Sequence, residues 1–196
     1  MASRKRQRHS RPQRQPVRRI LVVTEGLRTE PQYVEGLNRH LRSKGTTAVV
    51  KAVTVGKDPL KVVQKCIEKR HEADQNDKGY DKCVCLVDVD EHTNLAAAAQ
   101  LADQEEIHLL ISNLKFETWL RWHVEDKRSA LTSTQLDEVA ASLGLVKGKV
   151  LSPKFPFTAV LSACKIARSV DPEMSPGRKG PNPSSAMPIL VDLMQG

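Results

Sequence analysis

Residues 83–92 read CVCLVDVDEH, and the fold turns on them. From Cys83 to Val89 the run is apolar apart from Asp88, continuous enough for a strand covered on both faces, as strands of parallel sheets are. It ends in Asp88, Asp90 and Glu91, three carboxylates within residues 88–91. Carboxylates beside an apolar strand are costly to bury unless something positive meets them. A metal ion, a basic neighbour and water are the candidates.

Working outward, the segments on either side follow the alternation that a buried parallel strand requires. RRILVVTEG (18–26) places Ile20 to Val23 as a β-branched strand ending at Gly26. TEPQYVEGLNRHLRSKG (29–45) then reads as a helix, with Thr29 as cap, Gln32 reaching back to it, Pro31 in the first turn and Gly45 at the end. Its Tyr33, Val34, Leu37 and Leu41 fall on one face. The order repeats in TAVVKAVTV (47–55), a strand, and DPLKVVQKCIEKRHEA (58–73), a helix with Asp58 as cap and Pro59 in its first position. After strand three come a helix-compatible stretch (93–106) and a fourth strand, IHLLISN (107–113). The expected fold is therefore α/β, a mostly parallel four-stranded sheet flanked by helices.

From Leu114 onward the character changes to helix and loop. LKFETWLRWHV (114–124) puts Phe116, Trp119, Leu120 and His123 on one helical face, with Ser112 and Asn113 placed to cap it. Short helices are expected over 133–144 and 158–170, the stretch 146–157 is loop-rich, and AMPILVDLM (186–194) is a last apolar segment. The chain divides into a core of about 19–125 and a helical C-terminal extension of 126–196, preceded by a tail.

Residues 1–19 carry all of the formal net charge. The chain has 31 Lys and Arg against 23 Asp and Glu. Residues 1–19 hold eight of the basic ones and no acid, which leaves 31 − 8 = 23 basic against 23 acidic residues, a neutral body. Residues 1–18 are expected to be a disordered basic arm that attracts phosphate backbones without reading sequence. A solubilising or targeting terminus is the plainer alternative. The start has no apolar stretch of a secretory signal, and no apolar run approaches the roughly 18 residues of a membrane span, so a cytoplasmic location is expected. Cys66, Cys83, Cys85 and Cys164 form no CxxC pair, and the alternating Cys83 and Cys85 read as buried thiols.

In open parallel sheets ligands sit beyond the carboxyl ends of the strands. Glu25 follows strand one, while Asp88 and Asp90 end strand three, so the three carboxylates would meet at one edge. Such a set outlines a site for Mg²⁺, or Mn²⁺ in its place, because hard cations take oxygen ligands. The rival reading is a solvated turn, or acids suiting the dipole of the helix that follows. Glu30 is explained as an acid in a first helical turn. Glu117 is a further acid near the same edge. His92 and His123 are candidate proton carriers, although His123 shares a face with Phe116 and Trp119. Neither GxGxxG, GxxxxGK[ST] nor GxSxG occurs, so dinucleotide, P-loop and serine-hydrolase readings find no support.

RRILVVTEGLRTEPQYVEGL, VDVDEH, SNLKFETWLRWHV and NPSSAMPILVDLM together resemble the RloB-like family, which is similar to proteins with a Toprim-type domain and occurs among bacterial restriction and phage-defence loci. The resemblance runs from about Arg19 to the C-terminus. It implies a Toprim-like sheet in which Glu25 serves as general acid or base and Asp88 and Asp90 hold Mg²⁺ against a scissile phosphate. It also implies an AAA-type ATPase as a possible partner. Where the family has Pro after SN and a small residue before FE, this chain has Leu114 and Lys115, and Lys115 would add positive charge beside substrate.

The resulting expectation is a Mg²⁺-dependent endonuclease acting on DNA or RNA in anti-phage defence. Glu25, Asp88, Asp90, Glu117 and His123 are its candidate catalytic residues, and Arg18, Arg19, Arg28 and Lys115 its candidate substrate-binding residues. The alternative is a non-catalytic nucleic-acid or nucleotide-binding sensor of a defence complex. A topoisomerase-like activity would need a nucleophilic tyrosine, and only Tyr33, on an apolar face, and Tyr80 exist.

Overall fold

The computed structural model describes residues 17–46, 48–56, 58–89 and 94–196. Its centre is a five-stranded sheet in the order β2-β1-β3-β4-β7. Strands β1 (Arg19–Thr24), β2 (Val49–Thr54), β3 (Lys82–Asp88) and β4 (His108–Asn113) are parallel. The fifth, β7 (Ser184–Ser185), is a two-residue antiparallel addition beside β4 that the sequence pattern did not reveal.

Alternation along the strands divides the core in two. Ile20, Val22, Val84, Leu86 and Leu110 face one way, onto α1 (Thr29–Ser43) and the C-terminal part of the chain. Leu21, Val23, Cys83, Cys85, Val87, Leu109 and Ile111 face the other, onto α2 (Pro59–Asp74) and α3 (Leu95–Gln104). Both faces are apolar because both are covered, which is why β3 reads as an unbroken apolar run. The connection through α1 steps from β1 to β2 in one direction on one face. Those through α2 and α3 step in the other direction on the opposite face, which keeps all the crossovers of one hand.

The C-terminal extension is packed into the first of these cores. It comprises α4 (Glu117–Arg121), α5 (Ser133–Ser142), a hairpin of β5 (Val146–Lys147) and β6 (Val150–Leu151), α6 (Val160–Val170) and α7 (Met187–Gln195). Met187, Leu190, Val191 and Met194 of α7 are buried with Ala163, Cys164 and Ala167 of α6 against the α1 side of the sheet. Helix α4 is shorter than the spacing over 114–124 predicts, but Phe116, Trp119 and His123 share a buried cluster as that spacing requires.

Two expected caps are used differently. Asp58 does cap α2, accepting from the Lys61 backbone N–H at 3.2 Å. Thr29 and Gln32 form no capping box. The Thr29 hydroxyl donates to the Lys149 carbonyl at 3.0 Å, and the Gln32 side-chain carbonyl accepts from the Leu151 N–H at 2.8 Å. Ser112 and Asn113 likewise do not cap α4. Ser112 shares a hydrogen bond with Ser185, and the Asn113 amide donates to the Gly180 carbonyl at 2.9 Å. The peptide between Asn113 and Leu114 is cis. Among the described residues no helix is long and apolar enough to cross a membrane.

Candidate functional site

The sheet order places β1 and β3 side by side, with the chain leaving β1 to one side and β3 to the other. This reversal of direction opens a crevice beyond the carboxyl ends of the two strands. Parallel register sets Thr24 beside Leu86 and Asp88 beside Ser112, so the residues that follow β1 and end β3 line the crevice together. Glu25 is held there by its backbone: its N–H donates to the Leu86 carbonyl at 3.0 Å and its carbonyl accepts from Gly56 at 2.9 Å. Its side-chain carboxylate accepts from the Asp88 N–H at 3.4 Å.

The crevice is a cleft of about 600 Å³. Glu25, Glu30, Asp88 and Glu117 contribute carboxylates to its lining, and Asp58 stands at its α2 side. Glu30 reaches in from the first turn of α1, with its carboxylate lying against the bare Cα of Gly26. Glu117 enters from the start of α4 and is buried, at 8% exposure. Arg28, Lys115 and Lys149 are the basic residues of the lining.

Crowding of like charges shows in the acid–base balance. Burial holds the Asp88 carboxyl well above the usual aspartate range, and the neighbouring Glu30, Glu117 and Glu25 push it further, against a backbone hydrogen bond from Phe116. Burial likewise raises Glu30, helped by Glu117 and Glu25, with the Lys149 charge pulling the other way. At Lys115, burial favours the neutral form but is outweighed by a 2.5 Å hydrogen bond to Asp137 and by Glu117, so its ammonium is held above the ordinary range.

The structure therefore brings together Glu25, Asp88, Glu117, Arg28 and Lys115 from the sequence-predicted set. Asp90 and His92 lie outside the described residues, as do residues 1–16 of the basic arm. His123 is not in the cleft. It is buried in the core, where its ring meets Tyr33, Trp119 and Phe155, with Nε2 at 3.1 Å from the Tyr33 hydroxyl and Nδ1 at 3.0 Å from the Trp119 carbonyl. Burial pushes its pKa down to about 4. Tyr33, which the sequence placed on an apolar face, is fully buried in the same cluster. Arg18 and Arg19 sit at the opposite end of β1, about 20 Å of strand away from Glu25. There Arg18 donates to the Leu193 carbonyl at 2.8 Å, and Arg19 donates to Lys78 and lies over the Tyr80 ring.

Sequence reasoning gave Glu30 only a helix-end role and passed over Lys149. Lys149 sits 120 positions from its partner Thr29, and only the turn-forming Gly within VKGKV marks it. The side chains able to hold a hard cation in the cleft are carboxylates, an all-oxygen set partly withdrawn from water and mutually repelling, which suits Mg²⁺ or Mn²⁺. Among the described residues no three His, Cys, Asp or Glu form a ready-made cage for an ion.

A doubly wound sheet with carboxylates gathered where the strand order reverses defines a protein of the Toprim-like α/β class. No curated protein and no solved structure matches the chain. The sequence pattern of the RloB-like protein family matches residues 20–194, and the chain belongs to that family. Membership suggests a defence-related protein.

Proposed function

We propose that the chain is a metal-dependent nuclease that hydrolyses phosphodiester bonds of nucleic acid in bacterial anti-phage defence. The observation that carries this reading is the meeting of Glu25 and Asp88 in one cleft at the switch point, with Glu30 and Glu117 beside them. A half-buried group of carboxylates that raises its own proton affinity is poised to exchange protons for a cation. Magnesium commonly takes one or two protein carboxylates and fills its remaining positions with water and substrate phosphate, so a full protein cage is not required.

In this reading Asp88 and Asp90 would hold the metal. The bound cation would offset the negative charge that develops on the phosphate and lower the pKa of water. Glu25, fixed by its backbone beside β3, is the group to take a proton from water or give one to the leaving oxygen. Glu117 and Glu30 shape the charge around Asp88. Lys115, held by Asp137, keeps one positive charge within the acidic wall.

The test is incubation of the purified chain with labelled single- and double-stranded DNA, tRNA and bulk RNA, with Mg²⁺ or Mn²⁺ and with chelator. Cleavage is expected only with metal, and Asp88→Asn is expected to remove it, by 100-fold or more on the order of magnitude of losing a principal charge-stabilising group, while leaving the fold intact. Cleavage that survives in Asp88→Asn would sink the assignment. Metal-insensitive binding without any cleavage would favour a sensor or adaptor instead.

A further inference from the structure

The acidic lining raises a problem for any nucleic-acid substrate: five acids line the cleft, Glu25, Glu30, Asp58, Asp88 and Glu117, against three bases. A polyanion approaching it is repelled unless cations stand at the mouth. Lys115 is poorly suited to that task, because it is buried and paired with Asp137. Among the described residues Arg28 and Lys149 form no ion pair.

Lys149 is also delivered to its place by a built support. It lies in the turn of the β5–β6 hairpin, directly after Gly148, whose φ of 60° is the left-handed conformation that glycine adopts without steric cost. The buried Thr29 donates its hydroxyl to the Lys149 carbonyl, and Gln32 accepts from Leu151, so the tip is tied to the first turn of α1 next to Glu30. Two side chains with the local spacing of a capping box are thereby used to fix a hairpin 120 residues away in sequence. The result is an exposed, flexible-stemmed ammonium whose backbone is held at the rim of the carboxylate cleft.

We propose that Lys149 is a substrate-gripping residue, carried by the β5–β6 hairpin to meet a non-bridging phosphate oxygen of a nucleic-acid strand entering the cleft. The inference rests on the nuclease reading for its substrate class. It adds that the grip at the cleft comes from the C-terminal extension, not from the basic arm alone. Thr29 and Gln32 act as positioning residues. Lys147, on the same hairpin but outside the lining, supplies an internal control.

The experiment measures binding of the full chain to short labelled single-stranded RNA and DNA by fluorescence anisotropy across a salt series, with chelator present so that cleavage does not intervene. Lys149→Gln is expected to weaken binding roughly tenfold, the worth of one charge-assisted phosphate contact. The slope of log K against log salt should become shallower by about 0.7. Any share due to the arm is common to parent and variant and drops out of that difference. Lys149→Arg should keep the parent slope, and Lys147→Gln should change it less. Unchanged affinity and slope in Lys149→Gln would overturn the inference and leave Lys149 as a local counter-charge to Glu30. Equal losses in the two Gln variants would overturn it in favour of diffuse attraction. Failure of the parent chain to bind any probe, both with chelator and with Ca²⁺ in its place, would instead strike the nuclease reading beneath it.

Discussion

At the scale of single residues, burial gives similar chemistry opposite uses. Gly26 has no side chain where one would fall on the Glu30 carboxylate, and Glu30 is a mobile-ended group that can move aside. Gly26→Ala is therefore expected to fold with a stability change within about 1 kcal/mol, yet to lose about tenfold or more in cleavage, because displacing groups at a site by an ångström is costly. Parent-like cleavage in that variant would make Glu30 a bystander. His123 is the contrasting case, a titratable ring withdrawn into the core with its pKa lowered from 6.5 to about 4. The native state refuses a proton that the unfolded chain accepts between those values, so stability contributed by His123 is full above about pH 6.5, falls as pH drops toward 4, and levels off below. The whole window amounts to about 3 kcal/mol and the step from neutral pH to pH 5 to about 2 kcal/mol. Urea unfolding near pH 7 and near pH 5 should show that step in the parent chain and a smaller one in His123→Phe. Identical steps would show that His123 carries no such penalty.

At the scale of elements, β1, β3 and β4 were legible because burial on both faces leaves no alternation to misread. The run Cys83–Val87 and the flanking helices with Pro59 and Gly45 at their ends imposed a βα order that the chain follows. Glu25 and Asp88 were legible as neighbours for the same reason, since parallel strands send their carboxyl ends to one edge. What could not be read was the choice between local and distant hydrogen bonds. A Thr hydroxyl or an Asn amide satisfies a helix end or a remote carbonyl equally well. At Thr29, Gln32, Ser112 and Asn113 the remote partner won. Strand β7 is two residues long and exists only because Ser112 and Asn113 pair with Ser185 and Ser184, so no periodicity announces it. Lys149 escaped notice for the same reason, its place being set by a bond to α1 and not by anything near it in sequence.

At the scale of the whole molecule, the cleft is a product of global topology. Glu25, Asp88, Glu117 and Lys149 come from the residue after β1, from β3, from α4 and from the hairpin, and only the folded chain brings them together. A ligand of that cleft binds the native state and not the unfolded one, so its binding free energy adds to stability. Without a cation the cluster opposes folding at neutral pH: Asp88 and Glu30 prefer their protons in the native state, so ionising them weakens the fold as pH rises through their unfolded pKa values. A divalent cation should reverse that sign. Mg²⁺ at about 100 times its dissociation constant is expected to stabilise the chain by about 2.7 kcal/mol, which for a protein of this size raises the thermal midpoint by roughly 5–10 °C. The gain should vanish in Asp88→Asn, and that variant without metal should be no less stable than the parent, because one of the mutually repelling charges is gone. A thermal scan with Mg²⁺, Ca²⁺ and chelator reads this without reference to cleavage. Equal metal-induced shifts in parent and variant would place the ion elsewhere, and no shift in either would remove the cation from the cleft.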